Sequence, residues 1–403
     1  MKEKVLVFIP YQDTDNFYSD GIMTREYAML YLLWKAGYKT VINVKKPRTW
    51  LDKKRYQIYN TYYPEGTKEF LIKQILDAAE TIQFLPPFSI NQLLNRRGWW
   101  NVGYKKTSKK IELKSNKEYL VYSDNPYAVE LLCYLSKQGC DVFFDIMDNF
   151  AIHPSLNEKE HEVALTGYKK IFKFANYITA NSKQTCDYMQ KYTKKSIHLV
   201  KNGVFKDNNT KDSLSLEEVR IIREKKKKFR YCAGYIGKLG LRLDANLIDQ
   251  ISNACSEVLF VFVGGYLKGQ INEKLIEIFN TRDNVLHLNA VPSAYVYPIL
   301  DEFDILMIPH AIGKSENGGD PLKLYQYLTR NKPIISTSIL GVDEFENEIT
   351  ISDDVKEWIE YLLIGGKNKS NMSLTGITWD ERMKYILDRI GEDKDLINNE
   401  FKS

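Results

Sequence analysis

Short apolar runs alternate with segments of helical spacing along most of the chain. Residues 5–8 form an apolar run that predicts a buried strand, and residues 22–36 carry apolar side chains three and four positions apart, which predicts a helix. Gly37 then stands where a helix-ending glycine is common, and Thr40–Val44 is the next apolar run. A strand, a glycine-bearing loop at residues 19–21, a helix and a second strand are typical of the opening of a doubly wound sheet.

The same alternation predicts strands in both halves of the chain, separated by a polar, highly charged connection with a short exposed helix at residues 207–228. Apolar strands separated by helices are typical of a parallel sheet covered on both faces. We therefore expect an α/β protein with two Rossmann-like, doubly wound domains facing each other across a cleft. Ligands are expected at the carboxyl ends of the strands. The further predicted strands are residues 118–122, 141–147, 177–180, 197–200, 231–236, 258–263, 285–288, 305–308 and 333–336.

Composition narrows the class of protein without identifying a site. A chain of 403 residues, 44% of them hydrophobic, is long enough for two domains. The net charge of +5 is modest and the basic clusters are short, so nucleic-acid binding is not expected. Five scattered cysteines without a CxxC pair indicate neither a zinc site nor a disulfide framework. The start of the chain does not resemble a signal peptide and no apolar run reaches 18 residues, which predicts a cytoplasmic protein.

Residues 315–337 hold the most suggestive chemistry, a glycine-bearing loop, a helix start and a buried strand. Asp320 is a good N-cap residue, and Pro321 suits the first helical position. The free N–H groups of a helix start attract anions, Lys323 adds a positive charge in the first turn, and Gln326 shares its face. These groups are suited to a diphosphate and a neighbouring ribose. The alternative is a capped surface helix with a solvated lysine.

Four pieces spread over most of the chain resemble the GT-B glycosyltransferases of family 4. They are ANS at residues 180–182, VKNGV at 200–204, YIGK at 235–238, and DILMIP at 304–309 together with residues 320–337. The motif DPLKLYQYL at residues 320–328 is most similar to the corresponding segment in enzymes of bacterial exopolysaccharide assembly, including teichuronic acid and xanthan-pathway glucuronosyltransferases. The order and spacing of the four pieces carry this resemblance.

The resemblance implies a domain division and a reaction. Residues 1–205 would bind the acceptor, residues 206–377 would bind a nucleotide-sugar, and the helical residues 378–403 would return toward the N-terminal domain. The implied activity moves a sugar from a nucleotide-sugar, expected to be a UDP-sugar, to a glycan or lipid-linked acceptor in bacterial surface polysaccharide synthesis. Such enzymes do not usually need a metal or another cofactor. No DxD motif flanked by apolar strand residues suggests a metal here, and Asp353 and Asp354 look like a helix start instead.

The chain departs from the family pattern at two positions. The family carries two glutamates eight residues apart, which correspond here to Gly318 and Gln326. Glutamine still accepts hydrogen bonds through its carbonyl, so a ribose contact survives the second change. Loss of the first glutamate leaves the contact to the donor sugar and the retaining or inverting outcome open.

The leaving diphosphate of such a reaction needs positive groups beside it. Lys238 and Arg242 follow a predicted strand and a glycine, and together with Lys323 they are the expected cations. The alternative for Lys238 and Arg242 is that they are solvated loop residues. Residues 19–21 are a candidate for close backbone approach to the donor phosphate or the acceptor, and the alternative is a plain tight turn. The predicted donor site consists of Gly21, Gly237, Lys238, Arg242, Asp320, Pro321, Leu322, Lys323 and Gln326.

An inverting transfer also needs a carboxylate base at the acceptor hydroxyl. Asp145 and Asp148 lie at the end of a predicted strand of the first domain, and the xanthan-type resemblance places a catalytic aspartate in this region. Asp148 is the preferred candidate and Asp145 the next. The alternative is that one of them caps a helix or braces a loop.

Residues 95–110 mix tryptophans with cations. Such a surface suits an anionic membrane interface, which predicts peripheral contact with the inner face of the membrane. The alternative is that the tryptophans pack into the first domain.

Two other kinds of protein are compatible with these features. One is a nucleotide-sugar epimerase with the GT-B fold. The other is a non-catalytic nucleotide-sugar binding protein, which the changes at Gly318 and Gln326 keep open.

Overall fold

The computed structural model divides the chain into two compact units. The first unit consists of Met1–Lys201 and Trp379–Ser403, and the second of Asn202–Thr378. In the described part of the chain, no helix is both long and apolar enough to cross a membrane. The structure describes residues 2–21, 23–47, 61–83, 97–153, 156–205, 216–266, 269–313, 320–368 and 375–400.

A parallel sheet of seven strands forms the centre of the first unit, in the order β3-β2-β1-β4-β5-β6-β7. The chain leaves β1 toward β2 on one side and returns to β4 on the other, so the order reverses between β1 and β4. The strands are β1 (Glu3–Ile9), β2 (Thr40–Val44), β3 (Glu80–Ile82), β4 (Lys117–Ser123), β5 (Asp141–Ile146), β6 (Tyr177–Ala180) and β7 (His198–Leu199).

The helices of the first unit cover this sheet. β1 and β4 are buried along most of their length because the helices shield them from water. The helices are α1 (Thr14–Asp20), α2 (Arg25–Lys35), α3 (Lys68–Ala78), α4 (Trp99–Ser108), α5 (Val129–Lys137), α6 (Glu158–Phe174), α7 (Lys183–Gln190) and the C-terminal helix of the chain (Trp379–Glu400), numbered α14.

The C-terminal helix α14 packs on α2 of the first unit. Lys35 of α2 donates to Asp380 of α14 at 2.7 Å, and the Arg25 guanidinium lies 5.7 Å from the centre of the Trp379 ring. Met383 and Ile386 of α14 are buried. The last described segment of the chain therefore completes the first unit.

The second unit has six parallel strands in the order β10-β9-β8-β11-β12-β13. Its order reverses between β8 and β11. The strands are β8 (Tyr231–Ile236), β9 (Val258–Val263), β10 (Val285–Leu288), β11 (Ile305–Ile308), β12 (Ile334–Ser336) and β13 (Thr350–Ile351). The helices are α8 (Glu217–Lys226), α9 (Ala245–Ala254), α10 (Glu273–Thr281), α11 (Val296–Asp301), α12 (Leu322–Leu328) and α13 (Val355–Leu363).

Both units confirm the predicted α/β class with two doubly wound sheets, although two local predictions were incomplete. A short helix, α1, occupies residues 14–20 and so includes two of the three residues predicted as a loop at 19–21. The helix α8 lies in the connection predicted to be exposed, yet it buries Val219 and Ile222 against the second core. Asp354 accepts from the Lys356 amide at 2.7 Å and caps α13, as its position predicted.

Candidate functional site

Four polar side chains converge where the strand order of the second unit reverses. Tyr235 comes from β8, Arg242 from the segment after it, His310 from just beyond β11, and Lys323 from α12. Because parallel strands end at one edge of the sheet, the point of reversal leaves a crevice there, and ligands of open α/β sheets bind in that crevice. We call these four residues the cationic cluster.

The Lys323 ammonium is the centre of the cationic cluster. Its Nζ lies 2.5 Å from the Tyr235 hydroxyl, 3.2 Å from His310 Nε2 and 3.8 Å from the centre of the Tyr235 ring. The Tyr235 hydroxyl in turn donates to the Lys238 carbonyl at 2.9 Å. The lysine is thus held in one position by groups that carry no negative charge.

The charge balance of this cluster favours an incoming anion. Burial, and then the Arg242 charge, lower the pKa of Lys323 well below its ordinary value. Burial also lowers the pKa of His310, with Lys323 and Arg242 as further causes. Among the described residues no carboxylate acts on Lys323, and the buried Arg242 Nε has no hydrogen-bond partner, although the Arg242 side chain acts on the Tyr235 hydroxyl. A bound anion would supply the missing charge and the missing acceptor.

Two glycines bring backbone close to Lys323. A Cβ on Gly237 would lie 2.8 Å from Lys323 Nζ, and a Cβ on Gly264 would lie 1.9 Å from the Gly237 carbonyl oxygen. Their φ angles of 147° and 156° are also in a region that L side chains rarely adopt. Both positions therefore require glycine.

Asp320 does not cap α12, so that prediction was wrong. The N-cap is Pro321, without a side-chain cap, and α12 has only seven residues. The Asp320 carboxylate instead accepts from the Asn202 amide at 2.5 Å and from the Tyr325 hydroxyl at 2.6 Å. Sequence position alone suggested a cap, whereas the fold uses this carboxylate to attach the KNGV segment to the start of α12.

The remaining predicted donor residues have less distinctive surroundings. Leu322 and Gln326 are half-buried, and the Lys238 side chain is exposed. Gly21 ends α1 with φ 64°, and its amide donates to the Phe17 carbonyl at 3.2 Å, so its glycine is explained by a helix end. Gly318 lies outside the described residues. The donor roles of all the predicted residues stay predictions.

Asp145 is fully enclosed in the first unit. Its two carboxylate oxygens accept from Arg25 at 2.7 and 3.0 Å, from Tyr122 at 3.0 Å and from Thr179 at 2.6 Å. All four of these hydrogen bonds come from side chains of the first unit, so the Asp145 carboxylate is already engaged within the fold. The arrangement agrees with the bracing role that the sequence left as an alternative for one of the two aspartates.

Asp148 is half-buried just beyond the end of β5. Its carbonyl accepts from the Tyr168 hydroxyl at 2.9 Å, which fixes the backbone there. Two more carboxyls, Glu26 and Asp124, belong to the same edge of the sheet and were not predicted. The helical pattern of residues 22–36 includes Glu26 without distinguishing it, and Asp124 lies two residues beyond the predicted strand 118–122, which is a signal that could have identified it.

The tryptophans of residues 95–110 pack into the first unit. Trp99 and Trp100 are 2% and 3% exposed, and Trp100 belongs to the core behind the sheet. Residues 95 and 96 lie outside the described residues. Lysines 105, 106, 109 and 110 are exposed, so the predicted membrane contact now rests on these lysines alone and stays a prediction.

Comparison with solved structures shows which fold these two units form. HepE from Anabaena, in complex with UDP and glucose, has a TM-score of 0.58 at 13% identity, and 100% of each chain is covered. Sucrose-phosphate synthase from Thermosynechococcus elongatus has a TM-score of 0.59 at 13% identity, with 99% of each chain covered.

The alpha,alpha-trehalose 6-phosphate synthase from Burkholderia multivorans has a TM-score of 0.57 at 10% identity, covering 98% of this chain and 95% of that one. These proteins are GT-B glycosyltransferases, and the likeness confirms the predicted GT-B fold. No known family model and no curated protein matches the sequence.

Proposed function

We propose that this protein is a glycosyltransferase that transfers a sugar from a UDP-sugar to a glycan or lipid-linked acceptor in bacterial surface polysaccharide synthesis. The observation that carries the proposal is the cationic cluster at the point where the strand order of the second unit reverses. Its charges lack anionic partners among the described residues, and a nucleoside diphosphate would provide them.

The cluster also fits the chemistry of the transfer. When the bond between the sugar and the diphosphate breaks, negative charge develops on the departing phosphate oxygen. Lys323 is held in place before the reaction by Tyr235 and His310, so it stabilises that charge without having to reorganise, and Arg242 adds a second positive charge. The backbone at Gly237 and Gly264 lets the diphosphate approach closely.

The acceptor would bind the first unit, as the resemblance to family 4 implies. Carboxyls at the ends of β4 and β5 supply the chemistry for removing a proton from its hydroxyl. Asp148 is the residue that the sequence predicted for this step. Support for a UDP-sugar comes from the GT-B fold and from HepE, which was solved with UDP and glucose.

The test combines binding and turnover. We expect UDP to bind, and UDP to be released from at least one of UDP-glucose, UDP-N-acetylglucosamine and UDP-glucuronate. Arg242→Met should weaken UDP binding at least tenfold, because it removes one of the cations. Lys274→Met provides a control for loss of positive charge, since Lys274 pairs with Asp249 on the surface at 3.0 Å.

The same experiment distinguishes the alternatives. A nucleotide-sugar epimerase would convert one intact donor into another, and a non-catalytic binding protein would bind UDP without turnover of any donor. Absence of UDP binding would contradict the proposal altogether.

A further inference from the structure

Three carboxyl residues gather where the strand order of the first unit reverses. Asp124 directly follows β4, Asp148 lies two residues beyond β5, and Glu26 is in the first turn of α2. The Tyr11 amide, just beyond β1, donates to Asp124 Oδ1 at 2.8 Å, which places Asp124 at the ends of β1 and β4. The neighbouring Arg25 reaches Asp145 of β5, so the start of α2 lies over the same edge.

Glu26 differs from Asp145 in having no hydrogen bond of ordinary distance and angle at its carboxylate, although the nearby Thr24 hydroxyl and the backbone act to lower its pKa. Its exposed fraction is 0%, and neither Oε1 nor Oε2 has a partner among the described residues. Asp124 is 2% exposed and its Oδ2 is likewise without a partner. A buried polar atom without a partner costs free energy, so two such carboxyls at one strand edge indicate a use outside the folded core.

Other polar atoms at this edge are also without partners in the described part of the chain. They include Thr24 Oγ1, Asn43 Oδ1 and the amide donor Asn125 Nδ2. Most of these atoms are hydrogen-bond acceptors, and the hydroxyl groups of a sugar both donate and accept. Asp148, whose charge acts on Glu26, is half-buried, so among these three carboxyl residues it is the most exposed.

We propose that Glu26, close to Asp124, binds the acceptor hydroxyl and removes its proton in the transfer, in place of Asp148. This proposal rests on the proposed glycosyltransferase function. The acceptor is a sugar or sugar-like polyol, whose other hydroxyls take the remaining acceptor atoms of the edge. Glu26 is a catalytic residue in this proposal and Asp124 a positioning residue.

The proposed step exchanges one bond at the anomeric carbon of the donor for another. The acceptor oxygen forms a bond to the anomeric carbon of the donor, and its proton passes to the Glu26 carboxylate. The bond from the anomeric carbon to the phosphate oxygen breaks, and its electron pair leaves with UDP. No metal, oxidant or reductant is required.

The electrostatic surroundings suit a base that works near neutral pH. Burial raises the pKa of Glu26 to about 7, and the charges of Asp148 and Asp145 act in the same direction. Burial, and then the charge of Glu26, also raise the pKa of Asp124. A base with a pKa close to the working pH is the most effective one. The other titratable or charged groups near this edge are Asp13, Arg25, Tyr27 and Tyr122.

Glu69 offers a matched control for Glu26. It is also a buried glutamate of the first unit, 3% exposed, and burial raises its pKa to about 7 as well. It belongs to α3, and no carboxyl of the group at β4 and β5 contributes to its pKa. Glu69→Gln therefore measures the effect of losing a buried carboxylate that does not belong to the group at β4 and β5.

The experiment measures UDP release from UDP-glucose, UDP-N-acetylglucosamine and UDP-glucuronate, with water as the acceptor, together with UDP affinity and thermal unfolding. We expect Glu26→Gln to slow release by about 10²- to 10⁴-fold, the usual contribution of a general base, with UDP affinity changed less than twofold. Glu69→Gln should leave the rate within about threefold, and Asp148→Asn should lose less than Glu26→Gln.

The pH profile provides a second measurement on the same protein. Release by the wild type should rise with pH up to about 7 and then level off, whereas Glu26→Gln should lack this rise. Asp148→Asn should shift the rise to lower pH, because it removes a negative charge that raises the pKa of Glu26.

Equal rates for Glu26→Gln and the wild type would overturn the proposal, as would a larger loss in Asp148→Asn. If the wild type bound UDP but released none from any donor, the proposed transfer itself would fail, and the base assignment with it. A variant that no longer folds is recognised by its unfolding curve. In that case Glu26→Asp, which keeps the carboxylate one methylene further back, should release UDP more slowly but retain the rise with pH. Loss of the pH rise in this variant would count against the proposal.

Discussion

Replacement of Lys323 by methionine should change both the affinity for UDP and the proton balance of UDP binding. In the free protein the Lys323 ammonium is near Tyr235 and His310 without a negative partner, and burial lowers its pKa well below its ordinary value. A bound diphosphate stabilises the protonated lysine and therefore raises that pKa. Since the pKa is higher in the complex than in the free protein, UDP binding takes up protons and the affinity rises as pH falls.

The magnitude follows from the contact that is lost. Methionine keeps the apolar stem and removes the charged donor, and a hydrogen bond between charged groups is worth about 1.5–3 kcal/mol. The dissociation constant of UDP should therefore rise about 10- to 150-fold. Proton uptake, which cannot exceed about one proton at Lys323, should fall toward zero in the variant.

Isothermal titration calorimetry at pH 8, in HEPES and in Tris, measures both quantities, because the two buffers differ in ionisation enthalpy. At this pH the terminal phosphate of UDP is already ionised, so it contributes little to the proton balance. Lys332→Met is the control, since burial also lowers the pKa of Lys332 but its Nζ donates to the carbonyls of Leu300, Asp301 and Phe303. Unchanged affinity and unchanged proton uptake in Lys323→Met would refute the assignment of Lys323 to the diphosphate.

Three further predictions concern the stability of the two units. Arg25→Met leaves the Asp145 carboxylate buried without its cation, so urea unfolding of the first unit should show a loss of about 3–5 kcal/mol, and an unchanged midpoint would contradict the role of the pair. Gly264→Ala puts a Cβ 1.9 Å from the Gly237 carbonyl oxygen, so calorimetry should show weaker UDP binding and a lower unfolding temperature. Because burial raises the pKa of Glu69 from 4.5 to about 7, this residue should lower wild-type stability by about 3 kcal/mol as pH rises through this interval, and urea unfolding at pH 5 and pH 8 should show a fall smaller by that amount in Glu69→Gln.

The fold was largely predictable because its signals are local. Strands of the second unit are short runs of apolar residues, and the alternation of such runs with helices predicts a parallel sheet covered on both faces. The caps at Asp244 and Asp354 are likewise set by residues two or three positions away.

The sites were less predictable because their partners are distant in sequence. The sequence identified Lys323 as a cation, but His310 and Tyr235, which hold it, lie 13 and 88 positions away. The sequence makes Asp145 a candidate base, whereas the structure shows its ion pair with Arg25, 120 positions away. Glu26 carried no signal at all, since a glutamate in the first turn of a helix is ordinary and only its burial without a donor makes it unusual.

The first unit is discontinuous in the sequence, and this has a consequence for its synthesis. The second unit, Asn202–Thr378, is one continuous segment and leaves the ribosome before α14 does. The ring of Trp379 at the start of α14 lies beside Arg25, whose guanidinium holds the buried Asp145. Domains generally fold as units during translation. The second unit therefore has all its residues before the first unit does, and residues 1–201 complete their unit only after α14 has been synthesised.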